Sequence, residues 1–95
     1  MLDISKERFV ERDLMLIKVV CPPERRGHVK HLVEIFRGRI VDVGVNSVMI
    51  EIAGTEAKVE GFIELVRPYG ILELARSGRI ALVRAGVEAH EAEGA

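Results

Sequence analysis

Six residues of this chain, Val29, Leu32, Val33, Glu34, Phe36 and Arg37, return in the same order further along as Val59, Phe62, Ile63, Glu64, Val66 and Arg67. In each set the apolar members are spaced i, i+3, i+4, i+7, which places four of them on one face of a helix. Two similar amphipathic helices are therefore predicted, each with one apolar stripe that needs an apolar surface to cover it.

The surface is supplied by β-branched runs at residues 14–20, 40–45, 48–52 and 80–83, giving the order strand, helix, strand, strand, helix, strand. Helices laid on one face of an antiparallel sheet make an α+β fold, and this element order is that of the ferredoxin-like βαββαβ sandwich. Pro22-Pro23-Glu24 is expected to stop the first strand and open the first helix, which Gly38 closes. Asn46-Ser47 reads as a tight hairpin turn, Asn being tolerant of positive φ. Thr55 is the expected N-cap of the second helix, and Pro68-Tyr69-Gly70 its end. Ser77-Gly78 reads as a turn before the last strand. Residues 1–11 are expected to form a lead-in anchored by Phe9 and Val10, residues 12–86 the folded domain, and 87–95 a disordered tail of Ala, Glu and Gly.

Period-2 alternation assigns faces. Met15, Ile17, Val19 and Cys21 point to the helices together with Val48, Ile50 and Ile52. Leu14, Leu16, Lys18 and Val20 then point the other way, with Met49, Glu51 and Ala53. The apolar members, Leu14, Leu16, Val20 and Met49, form a patch that neither predicted helix can reach, and a homodimer through this sheet face is expected.

The chain is 48% hydrophobic but only 4% aromatic, so its core must be aliphatic. A formal net charge of −1 removes the general electrostatic argument for nucleic acid or an anionic membrane. The leading residues lack the apolar run of a signal peptide, and no stretch approaches the ~20 apolar residues of a membrane span, so a soluble cytoplasmic protein is expected. Cys21 is the only cysteine and sits among Val19, Val20 and Pro22, the setting of a buried structural thiol.

Motifs that carry chemistry are sparse. His28 and His31, three apart on the first helix, are weak candidates for a metal, without a carboxylate or thiol at a diagnostic spacing. Ser5, Ser47 and Ser77 have no His or Asp patterned beside them. An acylphosphatase of this topology needs an arginine and a glycine-rich cradle after the first strand; Arg25 and Arg26 are near, but Pro22-Pro23 replaces the cradle and Asn46 is distant. RNA-binding sheets of this fold stack bases on aromatic side chains of the central strands, and these strands have none. The basic residues Arg25, Arg26, Lys30, Arg37 and Arg39 are interleaved with Glu24 and Glu34, as on a solvated helix face. An ACT-type ligand loop would fall at Cys21-Pro22-Pro23-Glu24, which is stiff and short of donors. No catalytic residue and no cofactor are assigned from the residues.

From the second helix onward the sequence becomes distinctive: Leu65-Val66-Arg67-Pro68-Tyr69-Gly70-Ile71-Leu72-Glu73-Leu74-Ala75-Arg76-Ser77-Gly78-Arg79-Ile80-Ala81-Leu82. Two further segments belong with it, Val10-Glu11-Arg12-Asp13-Leu14-Met15-Leu16-Ile17-Lys18-Val19 and Val33-Glu34-Ile35-Phe36-Arg37-Gly38-Arg39-Ile40-Val41-Asp42-Val43. Across residues 9–86 the chain resembles the C-terminal domain of the small, regulatory subunit of acetolactate synthase (acetohydroxyacid synthase). The resemblance implies a non-enzymatic partner of a catalytic large subunit that binds thiamine diphosphate, magnesium and FAD and serves branched-chain amino-acid biosynthesis. In that family the small subunit raises activity and confers feedback inhibition by valine through an N-terminal ACT domain. No residue here matches the family's valine-binding motif, so the expectation is the C-terminal domain without the ACT domain.

On the resemblance, and because charges punctuate an otherwise apolar segment, residues 67–79 are expected to meet the catalytic subunit, through Arg67, Tyr69, Glu73, Arg76 and Arg79. The same domain resembles the nickel-responsive repressor's ligand domain in fold. The competing expectation is therefore a free-standing ACT-like or nickel-repressor-like sensor of an amino acid or metal.

Overall fold

A computed structural model describes residues 8–86. Strand β1 (Phe9–Val20) leads through a 3-10 turn (Pro23–Arg25) into helix α1 (Arg26–Ile35). Strands β2 (Arg39–Val43) and β3 (Ser47–Gly54) follow, then helix α2 (Glu56–Val66), a second 3-10 turn (Arg67–Tyr69) and strand β4 (Ile71–Val83). The four strands form one sheet in the order β2-β3-β1-β4, every neighbouring pair antiparallel. This is the ferredoxin-like arrangement that the element order predicts.

The repeated motif behaves as its spacing requires. Val29 and Val33 of α1 and Val59, Phe62, Ile63 and Val66 of α2 are buried against Met15, Ile17, Val19 and Cys21 of the β1 end and Val48, Ile50 and Ile52 of β3. Leu32 and Phe36, the counterparts of Phe62 and Val66, are only partly buried. Phe36 meets Phe62 edge-on, with ring centroids 5.3 Å apart and planes at 74°, so the two copies of the motif touch each other through an aromatic pair.

Local chemistry sets the helix ends. The Thr55 hydroxyl accepts the Lys58 N–H at 3.2 Å and caps α2. At the end of α1 the Gly38 N–H reaches the Val33 carbonyl at 2.8 Å and the Arg37 N–H reaches that of Glu34 at 3.0 Å, a Schellman closure. The left-handed residue in it is Arg37, with φ 57°, rather than a glycine. Gly38 is needed for space: a Cβ there would collide with the Ile52 side chain and the Glu51 carbonyl oxygen of β3.

Three expectations are corrected. Ser77-Gly78 is not a turn: β4 runs unbroken from Ile71 to Val83, and these two residues form a β-bulge opposite Leu14, between the pairs Met15 with Arg76 and Asp13 with Arg79. Gly78 takes φ 82°, and the Ser77 hydroxyl accepts the Leu14 N–H at 3.0 Å, replacing a ladder acceptor. A Ser-Gly pair serves a bulge as well as a turn. The β2–β3 connection is residues 44–46, with Ser47 already in β3 and Asn46 outside the positive-φ residues. Arg26 holds it from α1, donating to the carbonyl oxygens of Gly44 and Val45 at 2.5 and 2.6 Å, and the Gly44 N–H closes it on the Ser47 carbonyl oxygen at 2.8 Å. Finally, β1 begins at Phe9, so residues 9–11 are strand rather than lead-in. The expected tail, 87–95, and the first seven residues lie outside the described residues.

β3 ends opposite Asp13. Beyond that point β1 and β4 continue as a two-stranded ribbon, pairing Phe9 with Val83, Val10 with Leu82, Glu11 with Ala81 and Arg12 with Ile80.

Candidate functional site

Among the described residues, helices cover one side of the sheet only. On the other side lie Leu14, Leu16, Lys18 and Val20 of β1, Met49, Glu51 and Ala53 of β3, and, by register, Glu73 and Ala75 of β4 and Arg39 and Asp42 of β2. Leu14 and Leu16 are 42% and 43% exposed at the middle of the sheet, where a central strand would ordinarily be covered on both faces or polar on one. Leu16, Lys18, Met49, Glu73 and Ala75 line a shallow groove of about 500 Å3. Ion pairs flank it, Lys18 Nζ to Glu73 Oε1 at 3.0 Å and Arg39 Nη2 to Glu51 Oε1 at 3.5 Å. With Asp42, the four-stranded face carries two cationic and three anionic side chains around an apolar centre, and Arg12 lies beyond them on the ribbon. The four residues assigned from the sequence, Leu14, Leu16, Val20 and Met49, thus come together on one surface.

The five residues of the 67–79 segment do not. Arg67 pairs with Glu64 at 2.9 Å across one helical turn, which holds the Glu64 carboxyl below its ordinary pKa by that hydrogen bond and charge. Tyr69 packs at the edge of the core beneath the Arg25 guanidinium, 5.7 Å from the ring centroid. Glu73 belongs to the uncovered sheet face. Arg79 is exposed, 3.9 Å from Glu11. Arg76 is turned to the helix side: its Nη1 donates to Glu60 Oε2 of α2 at 2.5 Å, and its Nε and Nη2 donate to Asp13 Oδ2 at 3.0 and 2.5 Å. Those bonds, to Glu60 first and then Asp13, raise the Arg76 pKa above the ordinary arginine range, so its charge is fixed.

Asp13, 2% exposed, is the residue that sequence reasoning passed over. The signal was present, since Asp13 shares strand parity with Met15, Ile17 and Val19 and had to enter the core side. A buried carboxylate requires a cation, and Arg76 supplies it.

His28 and His31 are exposed on α1, and among the described residues no group of three or more His, Cys, Asp or Glu side chains is placed to hold a metal ion. Cys21 is fully buried, and burial pushes its thiol pKa up, offset in part by Arg26 and Arg25. Among the described residues no helix is long and apolar enough to cross a membrane.

Comparison with known proteins places this geometry. Residues 12–85 match the family described as the small subunit of acetolactate synthase. A probable acetolactate synthase small subunit of Archaeoglobus fulgidus is 56% identical over 78 residues, covering 82% of this chain and 49% of that protein. The acetolactate synthase small subunit of Bacillus subtilis is 43% identical over 82 residues, covering 86% of this chain and 48% of that one. The crystal structure of an acetolactate synthase small subunit from Thermotoga maritima superposes with a TM-score of 0.81 at 44% identity, over 90% of this chain and 52% of that one. The chain spans about half the length of these relatives. With that match over most of the folded domain, the chain belongs to the family of acetolactate synthase small subunits.

Proposed function

We propose that this chain is a non-catalytic assembly and activation domain, which binds the thiamine-diphosphate-dependent catalytic subunit of acetolactate synthase and raises its activity in valine, leucine and isoleucine biosynthesis. It acts in the cytoplasm, away from nucleic acid and membranes, and holds no cofactor itself. Family membership across residues 12–85 is the observation that carries this reading. Mixing the chain with the cognate catalytic subunit should give a stable complex in size-exclusion chromatography; two separate peaks at micromolar concentration would reject it.

The chain works as a homodimer joined through the uncovered sheet face. Supporting this are the exposed Leu14 and Leu16 and the mixed charges around them. A face of one sign calls for a partner of the other, whereas a face of mixed sign tolerates its own copy across a two-fold axis. Contact with the catalytic subunit then falls to the 67–79 segment outside that face. Arg67 and Arg79 are its exposed cations, at 60% and 64% side-chain exposure, while Arg76 and Tyr69 hold the segment in shape and Glu73 serves the sheet face.

A further inference from the structure

The ribbon beyond Asp13 is a puzzle for a monomer. Among the described residues it has two strands and no third, and a two-stranded hairpin is marginally stable in water. Its helix-side residues Phe9 and Val83 are half-buried, but Ile80 and Leu82 on the other side are 56% and 74% exposed, more than Leu14 and Leu16. By register Val10, Ile80 and Leu82 share the face of Leu14 and Leu16, so one apolar row runs from the groove to the ribbon tip.

Strand lengths add a second constraint. β1 has 12 residues and β4 has 13, which puts the middle of β1 at Leu14 and Met15 and the middle of β4 at Ser77, the bulge residue bonded to Leu14. A two-fold axis crossing the strands there turns each ribbon back over the other copy's four-stranded sheet. Arg12 and Ile80, two positions to one side of Leu14, then overlie the level of Leu16 and Ala75, two positions to the other side. Val10 and Leu82 overlie the level of Lys18, Met49 and Glu73. Those are the residues that line the groove.

Area points to the same occupant. The four-stranded face has a footprint ~27 Å long and ~19 Å wide, and the ribbon adds apolar surface toward the ~800 Å2 of accessible surface per partner in a standard interface. The ribbon is the only described surface that prolongs it in the same plane with apolar side chains.

Resting on the sheet-face dimer proposed above, we infer that the ribbon is a locking arm between two copies: Ile80 and Leu82 of each lie in the groove made by Leu16, Met49, Glu73 and Ala75 of the other. The occupant of the groove is a second copy of this chain, and the ribbon is fully ordered only in the dimer.

Cross-linking tests the placement. The double variant Ala75→Cys, Ile80→Cys changes two exposed positions, and the parent chain with its buried Cys21 is the background control. A short bismaleimide, matched to the ~10 Å between packed sheets, should convert the double variant to covalent dimer, whereas either single variant and the parent remain monomeric on a denaturing gel. No covalent dimer, with Leu16→Glu still turning a dimeric parent into a monomer in solution, would overturn the arm and leave the sheet-face dimer standing. A parent chain that is monomeric, or a Leu16→Glu variant that stays dimeric, would overturn both.

Discussion

Asp13 and Arg76 face each other across the helix side of the β1–β4 pair, with two guanidinium nitrogens of Arg76 on the single carboxylate oxygen Oδ2 of Asp13 at 3.0 and 2.5 Å. Glu60 of α2 takes the remaining guanidinium contact, so the pair ties the edge strand to both the central strand and the second helix. Removing the cation leaves a carboxylate 2% exposed without compensation. Arg76→Ala is therefore expected to lower Tm by about 10 °C or more in a thermal melt followed by circular dichroism. A melt within a few degrees of the parent would mean that the pair contributes little to the fold.

The proposed sheet-face dimer has its own mutation. Leu16 is at the centre of the uncovered face and 43% exposed, so Leu16→Glu leaves the folded monomer intact while burying a charge in the dimer. Sedimentation should find the parent dimeric and the variant monomeric, with unchanged far-ultraviolet circular dichroism. Dimers in both would move the interface elsewhere.

Much of this was legible in the sequence, and the residues that were not have a common cause. Alternation along β1 and β3 assigns Met15, Ile17, Val19, Val48, Ile50 and Ile52 inward and Leu14, Leu16 and Met49 outward, and no irregularity interrupts their pairing. β4 defeats the same rule, because the bulge at Ser77-Gly78 advances the register: Arg76 and Arg79, which have opposite parity, end on the same side of the sheet. A second irregularity opposite Lys18 and Val19 affects Leu72 in the same way. Bulges are set by backbone and hydroxyl geometry, which a hydrophobic pattern does not encode. The inward turn of Arg76 was therefore hidden until its partner Asp13 was placed.

The end of α1 offers a paired test of backbone strain. Arg37 adopts φ 57°, a conformation that glycine takes at no steric cost, while Gly38 has no room for a Cβ. Arg37→Gly should be neutral or stabilising by up to about 1 kcal/mol, and Gly38→Ala should destabilise by about 1–3 kcal/mol. Chemical denaturation of the two variants reads the difference directly, and a more stable Gly38→Ala protein would contradict the packing described against Ile52.

Cys21 should be inert in the native protein. Its thiol is fully buried and its pKa is raised by burial, so a thiol reagent at pH 8 should label the denatured chain and leave the folded one unmodified for the same interval. The sign for stability follows. The folded state holds the thiol proton that the unfolded state releases above its ordinary pKa near 9.0, so this group's contribution is intact below that pH and declines as pH rises above it. Cys21→Ala should flatten that alkaline decline.

For the catalytic subunit, Arg67→Ala with Arg79→Ala removes the two exposed cations of the 67–79 segment. Their ion pairs are solvent-exposed and add little to the fold, so Tm should change by no more than a few degrees. Affinity for the catalytic subunit should fall at least about tenfold by calorimetric titration, the loss of ~1.4 kcal/mol of binding free energy. Unchanged affinity would remove this segment from the contact.

The proposed role as an activation domain is tested most directly by the rate of acetolactate formation from pyruvate by the cognate catalytic subunit, measured with and without this chain, and with and without valine. The account predicts stimulation that valine does not suppress; a folded, dimeric chain that leaves the rate unchanged would contradict it.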